Sequence, residues 1–371
     1  MSGRSGMSES SNRTEPRPAT AWRSFDTLPR AHGEPPIRCR LRAAPEDFVV
    51  DELLAFGADG EGEHCLLRVR KTGVNTDWAA QRLARCAGVS AKVVGYAGLK
   101  DRHAVTTQWF SVHLGPRPEP DWRPCLEDGI EVLESHRHRR KLRRGVLAGN
   151  RFQLRLREVA GDLDALASRV DSVAERGVPN YYGPQRFGRD EGNLYQADAL
   201  FGGGTGAATG GRRGGARRHV RGLWLSAARS QLFNELLARR VERGDWCIAL
   251  PGERLQLFGS HSHFLAAELD DDIRARVAAG DLQPTGPLLG AGEPLAAGTA
   301  GELEAAVAAD FPRWVEGLAA AGLRQERRPL RLVPEDLRAT RVDAGDVVLR
   351  FTLPPGCYAT SLLRELAHWW E

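Results

Sequence analysis

Polar and apolar residues alternate along short segments from Ile37 onward, which is typical of β-strands with one buried face. Three such segments come first, with the sequences CRLRA, EDFVVDELL and HCLLRVRK. A glycine-rich turn, GADGEGE, separates the second from the third. The segment NTDWAAQRLARCAG then predicts a helix that has a polar cap within residues 75–77 and ends near Gly88.

Strand patterns continue to about residue 160, in the segments AKVVGYAG, TTQWFSVHL, GIEVLES and RFQLRLREV. In the last of these, Phe152, Leu154 and Leu156 share one face because side chains alternate across a strand. The segment DLDALASRVDSVAERG follows and predicts a helix that ends at Gly177.

The pattern changes after Gly177. Residues 178–222 are rich in loop-forming and basic residues, and a long amphipathic helix is predicted from Leu223. Two further helical segments, DDIRARVAAG and GELEAAVAADFPRWVEGLAAAG, flank a passage rich in glycine and proline. Strand character returns only at DVVLRFTLPPG, before a C-terminal helix, CYATSLLRELAHWW. Strands at both ends with a mostly helical middle predict an α+β domain interrupted by an insertion.

Composition excludes several classes of protein. Residues 1–35 are rich in Ser, Arg, Pro and Gly, which predicts a disordered tail. No apolar run reaches the roughly 18–20 residues of a membrane span, and no hydrophobic leader is present, so we expect a cytoplasmic protein without a membrane partner. The six cysteines never form C-x-x-C and HEXXH is absent, so we predict no metal site. The chain lacks a P-loop and a G-x-S-x-G elbow, which disfavours a nucleotide cofactor and a serine hydrolase of that kind.

The basic residues are almost all arginines. Lys and Arg together number 52 against 48 acidic residues, a net charge of +4, and only four of the 52 are lysines. Two segments concentrate the positive charge, HRHRRKLRR at 136–144 and GGRRGGARRHVRG at 210–222. Each alone could be a solvated charge run. Because arginine binds phosphate bidentately and stacks on bases, two such patches indicate a polyanionic partner such as RNA.

One carboxylate stands among cations in the stretch GYAGLKDRHAVTTQWFSV. Asp101 lies between Lys100 and Arg102, on a connection between two predicted strands. Neighbouring positive charges favour an ionised carboxylate, which can act as a nucleophile or as a base. A surface aspartate in an ion pair would have the same neighbours, so the spacing leaves both interpretations open.

Seven separated blocks together resemble the tRNA pseudouridine synthase D (TruD) family, bacterial enzymes that act on uridine 13 of tRNA. In chain order the blocks are PEDFVVDE (45–52), GEGEHCLLRVRKTGVNT (60–76), GYAGLKDRHAVTTQWFSV (95–112), HRHRRKLRRGVLAGNRF (136–152), GVPNYYGPQRFGRDEGNL (177–194), LSAARSQLFNELLARR (225–240) and LPPGCYATSLLREL (353–366). They run in the family's order and extend from about residue 37 to the end.

The resemblance implies the pseudouridine synthase fold, an α+β architecture in which a mixed, largely antiparallel sheet has flanking helices and a central cleft. It also implies a family-specific inserted α/β domain. We assign the catalytic domain to residues 36–175 and 331–371, and the inserted domain to residues 176–330.

Five site residues follow from the family's motifs. The aspartate of A-G-x-K-D is the family's catalytic nucleophile, and Asp101 stands at that position. Asn150 and Phe152 match the G-N-x-F motif. Phe48 matches the aromatic of E-D-F-x-V, and Tyr358 that of L-P-x-G-x-[FY]-A-T. The resemblance implies that these last four residues line the uridine pocket.

Other basic residues are expected to support the acid or contact RNA. The residue three before PEDF, a lysine in bacterial relatives, is Arg42 here, which keeps the positive charge but changes the donor geometry. We expect Arg42 to hold or screen the Asp101 carboxylate, with Lys100 as a second supporting charge. The candidate RNA contacts are Arg102, His103, Arg137, Lys141, Arg143, Arg144, Arg186 and Arg229.

The function that the resemblance implies is isomerisation of uridine to pseudouridine at position 13 of the tRNA D arm, on a flipped-out base and without a cofactor. The expected partner is then tRNA, and nothing requires a second protein or more than a monomer. Two alternatives use the same residues. One is a non-catalytic RNA-binding protein with Asp101 in a surface ion pair, and the other is a hydrolase that uses Glu52 together with Asp101.

Overall fold

The structure is a computed structural model that describes residues 21–123, 129–203, 214–342 and 345–371. The helices in these ranges are α1 Thr76–Cys86, α2 Leu163–Arg176, α3 Gly192–Phe201, α4 Gly214–Arg243, α5 Asp271–Ala279, α6 Gly298–Asp310, α7 Pro312–Ala320 and α8 Ala359–Leu366. The strands are β1 Ile37–Arg40, β2 Phe48–Leu54, β3 His64–Thr72, β4 Val94–Tyr96, β5 Val105–His113, β6 Ile130–His138, β7 Leu147–Gly161, β8 Val178–Pro179, β9 Glu253–Leu257, β10 His263–Ala266, β11 Leu282–Leu288, β12 Glu326–Pro329, β13 Arg331–Leu332, β14 Glu335–Arg341, β15 Val347–Leu353 and β16 Ala367–Trp370.

A ten-stranded sheet forms the centre of the domain that the sequence predicts to be catalytic. Its main path is β14-β15-β7-β2-β5-β3-β6, with β1 beside β7, β16 beside β1 and β4 beside β5. The pairs β2–β5 and β1–β16 are parallel, and the other pairs in this sheet are antiparallel. This confirms the predicted mixed, largely antiparallel sheet. The long strand β7 lies between β15 and β2, so its residues reach the middle of the sheet.

Helices pack against the sheet in two places, and each place has its own hydrophobic core. Side chains of α2 and α8 pack with those of β1, β2, β7 and β15, whereas α1 packs with β3, β4 and β5. Phe152, Leu154 and Leu156 are all buried, as their shared strand face predicts. Helix α2 ends at Gly177 as predicted, and the Asp162 carboxylate caps its start by accepting hydrogen bonds from main-chain N–H groups.

The chain leaves the domain of the ten-stranded sheet for the inserted region, and returns from it, at one place. Strands β8 and β13 pair antiparallel there, with Val178 opposite Leu332. Between them, α3, α4 and α7 pack around a core that includes Phe233 and Trp314. A separate four-stranded sheet in the order β10-β9-β11-β12 completes the insertion, which is therefore α/β.

The expectation that strand character returns only near residue 346 is wrong, because the insertion contains this second sheet. Strand β11 has the sequence LQPTGPL, and six of its seven residues are buried. A strand buried on both faces shows no alternation, and Pro284 and Pro287 argue against a strand in any sequence pattern. The sheet is formed by pairing that the local sequence does not reveal.

Two helix boundaries also differ from the prediction. Helix α4 begins at Gly214 rather than at Leu223, so the predicted loop is shorter, and residues 204–213 lie outside the described residues. The C-terminal helix ends at Leu366, and the following residues form β16. They leave the helix because they pair in parallel with β1, with Ala367 opposite Ile37.

The prediction of a disordered tail is wrong for residues 21–35, and residues 1–20 lie outside the described residues. Phe25 and Leu28 are buried against the core of the inserted domain. The Arg364 guanidinium donates to the main-chain carbonyl of Leu28 at 2.6 Å. A segment of polar composition is therefore held in place by two apolar anchors and by an arginine far along the chain.

Candidate active site

Asp101 lies on the connection between β4 and β5, and its side chain is 49% exposed. Arg42 Nη2 donates to Asp101 Oδ2 at 3.1 Å. Arg42 has a φ of 58°, a left-handed conformation that non-glycine residues rarely adopt. Its guanidinium also lies over the Phe48 ring at 4.2 Å and binds Glu371 at 3.0 Å. The structure thus brings Arg42 to Asp101, as expected, and leaves half of the carboxylate accessible to a ligand.

The main chain of this connection is anchored by two buried polar side chains. Thr76 Oγ1 accepts a hydrogen bond from the main-chain N–H of Lys100 at 3.0 Å and donates to Gln108 Oε1 at 2.9 Å. Gln108 Nε2 donates to the carbonyl of Gly98 at 3.3 Å. Hydrogen bonds shielded from water are hard to break, so the loop around Asp101 is fixed without belonging to a helix or strand.

The Lys100 side chain contacts Glu52 and Asn150 rather than its neighbour Asp101. Lys100 Nζ lies 2.8 Å from Glu52 Oε2 and donates to Asn150 Oδ1 at 2.6 Å. Glu52 and Asn150 face each other across β2 and β7. Glu52 is buried, and its Oε1 accepts from the main-chain N–H of Trp109 at 3.1 Å. With both oxygens engaged, Glu52 is poorly placed to be a second catalytic acid, which disfavours the hydrolase alternative.

Phe48 and Phe152 form an apolar wall beside this polar group. Both are buried, and their rings meet edge to face with centroids 6.2 Å apart. Phe152 also stacks on Phe351 at 5.1 Å. Because Arg42 covers Phe48, and Asn150 shares a strand face with Phe152, the structure places these predicted residues in one continuous group with Asp101.

Tyr358 lies at the junction between the catalytic and inserted domains. Arg186 Nε donates to the Tyr358 hydroxyl at 3.0 Å, and Arg186 Nη1 donates to Ser226 Oγ at 3.0 Å. The Tyr358 ring lies edge to face with Tyr182, with centroids 5.8 Å apart. Burial raises the pKa of the Tyr358 hydroxyl, which keeps this group protonated. The inserted domain therefore fixes the position of the ring.

Comparison with known proteins identifies one family along nearly the whole chain. The family described as tRNA pseudouridine synthase D (TruD) matches residues 26–198 and 216–366. A relative from Methylococcus capsulatus with that name is 50% identical over 342 residues, which cover 92% of this chain and 94% of that protein. Another, from Xanthomonas campestris, is 51% identical over 347 residues, which cover 91% and 94%. The chain belongs to the TruD family.

A solved structure has the same fold. It is described as a putative tRNA pseudouridine synthase D (TruD) from Methanosarcina mazei, with a TM-score of 0.67 over 91% of this chain and 95% of that one, at 22% identity. The similarity to this structure concerns the fold, and the family assignment rests on the sequence. As a member of the TruD family, the chain is a pseudouridine synthase, an isomerase.

In the part of this TruD chain that the structure describes, no group of three His, Cys, Asp or Glu side chains could hold a metal ion. Nor does any helix there combine the length and apolar character of a transmembrane span. The predicted absence of a metal and of a membrane partner remains a prediction.

Five of the basic residues proposed to contact RNA are exposed: Arg102, His103, Lys141, Arg143 and Arg144. Lys141 and Arg144 line a groove of about 440 Å³ together with Tyr96, which lies five residues before Asp101 in the chain. Cations around an aromatic ring are suited to a phosphate and a base. These positions are compatible with the predicted RNA surface of this TruD protein.

The other three residues proposed to contact RNA are partly buried and make hydrogen bonds within the protein. Arg137 donates to the carbonyl of Gly115 at 3.4 Å, and Arg186 binds Tyr358 as described. Arg229 is only 12% exposed and donates to the carbonyl of Leu288 at 2.7 Å. Arg186 and Arg229 therefore have contacts typical of structural residues.

The sequence interpretation missed one buried residue beneath Asp101. Lys71 Nζ donates to the main-chain carbonyls of Asp101 at 3.0 Å and Val74 at 2.8 Å. Its signal in the sequence is the alternation of β3, which puts Lys71 on the same face as Leu67 and Val69, both fully buried. A lysine at a core position is uncommon, because burying a charge is costly unless it is paired.

Proposed function

We propose that this protein isomerises uridine to pseudouridine at position 13 in the D arm of tRNA, with Asp101 as the nucleophile and without a cofactor. The observation that carries the proposal is the half-exposed Asp101 carboxylate, 3.1 Å from Arg42 on an anchored connection. A nucleophile for a flipped-out base has to be ionised, fixed and accessible. Relatives named tRNA pseudouridine synthase D supply the substrate class.

The reaction rearranges bonds within one nucleotide. The bond between uracil N1 and ribose C1′ breaks and a bond between C5 and C1′ forms, while C5 loses a proton and N1 gains one. Electrons are conserved, so Asp101 supplies a negative charge, a transient covalent bond or a proton acceptor. Attack at C1′, attack at C6 and removal of the C2′ proton all begin from the ionised carboxylate that Arg42 pairs with.

Asn150 is suited to bind the edge of the uracil. Lys100 donates to Asn150 Oδ1, so the amide oxygen is engaged and the Nδ2 group remains as the donor. An amide donor matches a uracil carbonyl oxygen. Phe48 and Phe152 provide an apolar wall for the ring, and stacking of the base on an aromatic side chain such as Tyr358 contributes about 1–3 kcal/mol.

The exposed cations near the catalytic loop are suited to bind the backbone of tRNA. Lys141 and Arg144 line the groove beside Tyr96, and Arg143 is exposed next to them. Phosphate contacts position a nucleic acid without reading its sequence. These three cations therefore hold the RNA while Asp101 and the residues around it act on the flipped base.

Carbodiimide mapping of a tRNA transcript after incubation with the purified protein tests the proposal. We expect one new pseudouridine at position 13 and none in a matched transcript with cytidine there. The Asp101→Ala variant should bind the transcript but leave it unmodified. Absence of a mapped modification in every tRNA tested would overturn the proposal, and release of free uracil would indicate a hydrolase instead.

A further inference from the structure

Lys71 occupies a core position in the sheet. Its side chain extends from β3 and is 1% exposed. Directly opposite on the neighbouring strands are Thr106 of β5 and Ile130 of β6, neither of which carries a charge. An ammonium group at such a position is costly unless it is hydrogen-bonded. The place of Lys71 therefore requires an explanation.

The Lys71 ammonium joins two loops. It donates to the carbonyl of Val74, just before α1, and to the carbonyl of Asp101 itself. The Asp101 connection is also tied on either side of Asp101 to the start of α1 and to the loop before it: Thr76 Oγ1 accepts from the Lys100 N–H, and Arg102 Nε donates to the carbonyl of Gly73 at 3.1 Å. Of these three ties, the one made by Lys71 is both buried and charged, and it acts on the main chain of Asp101 itself.

We propose that Lys71 is a positioning residue for the nucleophile: its ammonium fixes the main chain of Asp101 and places a buried positive charge beneath the carboxylate. This inference rests on the proposed role of Asp101. The reacting atoms of a nucleophile and its substrate have to be about 3–3.5 Å apart, so a shift of about 1 Å in the loop costs roughly 100-fold in rate. A buried tie to the main chain of Asp101 limits such shifts.

The charge of Lys71 is sensitive to mildly alkaline pH. Burial lowers its pKa to about 8, while the Asp101 charge opposes this shift and the Lys100 charge adds to it. A neutral amine still has N–H donors for the two carbonyls, but its hydrogen bonds are only about half as strong as those of an ammonium, so deprotonation removes the charge and weakens the tie. We therefore expect kcat to fall as the pH rises through about 8.

This loss of activity should be separate from unfolding. The pKa of Lys71 in the folded protein lies below the usual value of 10.5, so between these two values the unfolded chain binds more protons. Stability then rises with pH as far as this group is concerned. A fall in kcat above pH 8 without a fall in stability is therefore the expected signature.

Kinetics of the full-length protein on tRNA test the inference. Lys71→Met removes the donor and the charge at similar volume, and we expect kcat to fall about 100-fold, with the dissociation constant for tRNA within about twofold of that of the wild type. Lys71→Arg keeps its charge at alkaline pH, so its kcat should not fall above pH 8. Thr76→Val, the matched control, removes a neutral tie and should lower kcat while keeping the alkaline fall.

A folded Lys71→Met variant with wild-type kcat would overturn the inference about Lys71. If Asp101→Ala is inactive in the same assay, the proposed function stands even when the inference about Lys71 fails. If the Lys71 variants do not fold, the wild-type pH profile decides. A fall in kcat above pH 8 with unchanged circular dichroism and tRNA binding supports the role of Lys71. A constant kcat up to about pH 9.5, well above the pKa of Lys71, overturns it.

Discussion

Lys100 Nζ and Asn150 Oδ1 lie 2.6 Å apart, although 50 residues separate them in the chain. The same ammonium is paired with the buried Glu52 carboxylate at 2.8 Å. The lysine next to the candidate nucleophile therefore acts on the other side of the site, where it neutralises an acid and orients an amide.

Lys100→Met should lower both stability and activity. It leaves the Glu52 carboxylate as an unpaired buried charge, since the Glu52 and Lys100 side chains are 0% and 9% exposed. Removing one partner of a buried ion pair costs about 3–5 kcal/mol in the free energy of unfolding. Asn150 also loses the partner of its Oδ1 atom, so kcat should fall. Urea denaturation and single-turnover assays on tRNA measure the two effects.

The double variant Lys100→Met/Glu52→Gln separates these effects, because it removes both charges. We expect the free energy of unfolding to return most of the way to the wild-type value while kcat stays low. A double variant with wild-type kcat would show that Lys100 serves only to neutralise Glu52.

Arg42→Lys should retain most of the activity, and Arg42→Met should not. Lysine keeps a positive charge near Asp101 but loses the second donor that binds Glu371. A hydrogen bond to a charged group contributes about 1.5–3 kcal/mol, so the methionine variant should lose roughly 10- to 150-fold in kcat. Pseudouridine formation at saturating tRNA measures both variants, and equal rates for the two would contradict the role of Arg42.

Tyr358→Phe isolates the contact between the two domains. The variant keeps the ring and loses the hydrogen bond from Arg186, so we expect a fall in kcat of no more than about tenfold. Tyr358→Ala also removes the stacking surface, whose value of about 1–3 kcal/mol corresponds to a fall of roughly 5- to 150-fold in kcat/KM. Equal activity of the alanine and phenylalanine variants would exclude stacking by Tyr358.

Binding of tRNA should weaken steeply with salt, and the exposed cations should set the slope. Replacing Arg143 and Arg144 by glutamine should reduce the slope of log affinity against log salt by about one unit per residue. Arg274→Gln on α5, an exposed residue outside the proposed surface, is the control and should leave the slope unchanged. Fluorescence anisotropy with labelled tRNA at several salt concentrations measures this, and an unchanged slope in the double variant would remove both residues from the proposed surface.

Much of the catalytic domain could be predicted from local patterns. The alternation of RFQLRLREV predicted the burial of Phe152, and Gly177 predicted the end of α2. Local patterns misjudged the end of the last helix: the segment CYATSLLRELAHWW was predicted to be helical, but the helix ends at Leu366. The reason is that helix propensity is a weak preference, which the pairing of residues 367–370 with β1 outweighs.

The sequence by itself determined which residues stand together at the strand connection, that an acid among cations lies there, and which family the motifs resemble, because these are properties of neighbours in the chain. Only the tertiary structure decided what the charges contact: Arg42 binds Asp101, Lys100 binds Glu52 and Asn150, and Lys71 holds the Asp101 main chain from below. Such pairings depend on strand register and loop placement, which bring together residues tens of positions apart. Burial then makes the contacts of Lys100 and Lys71 important, since a polar group in the core has to find its partner there.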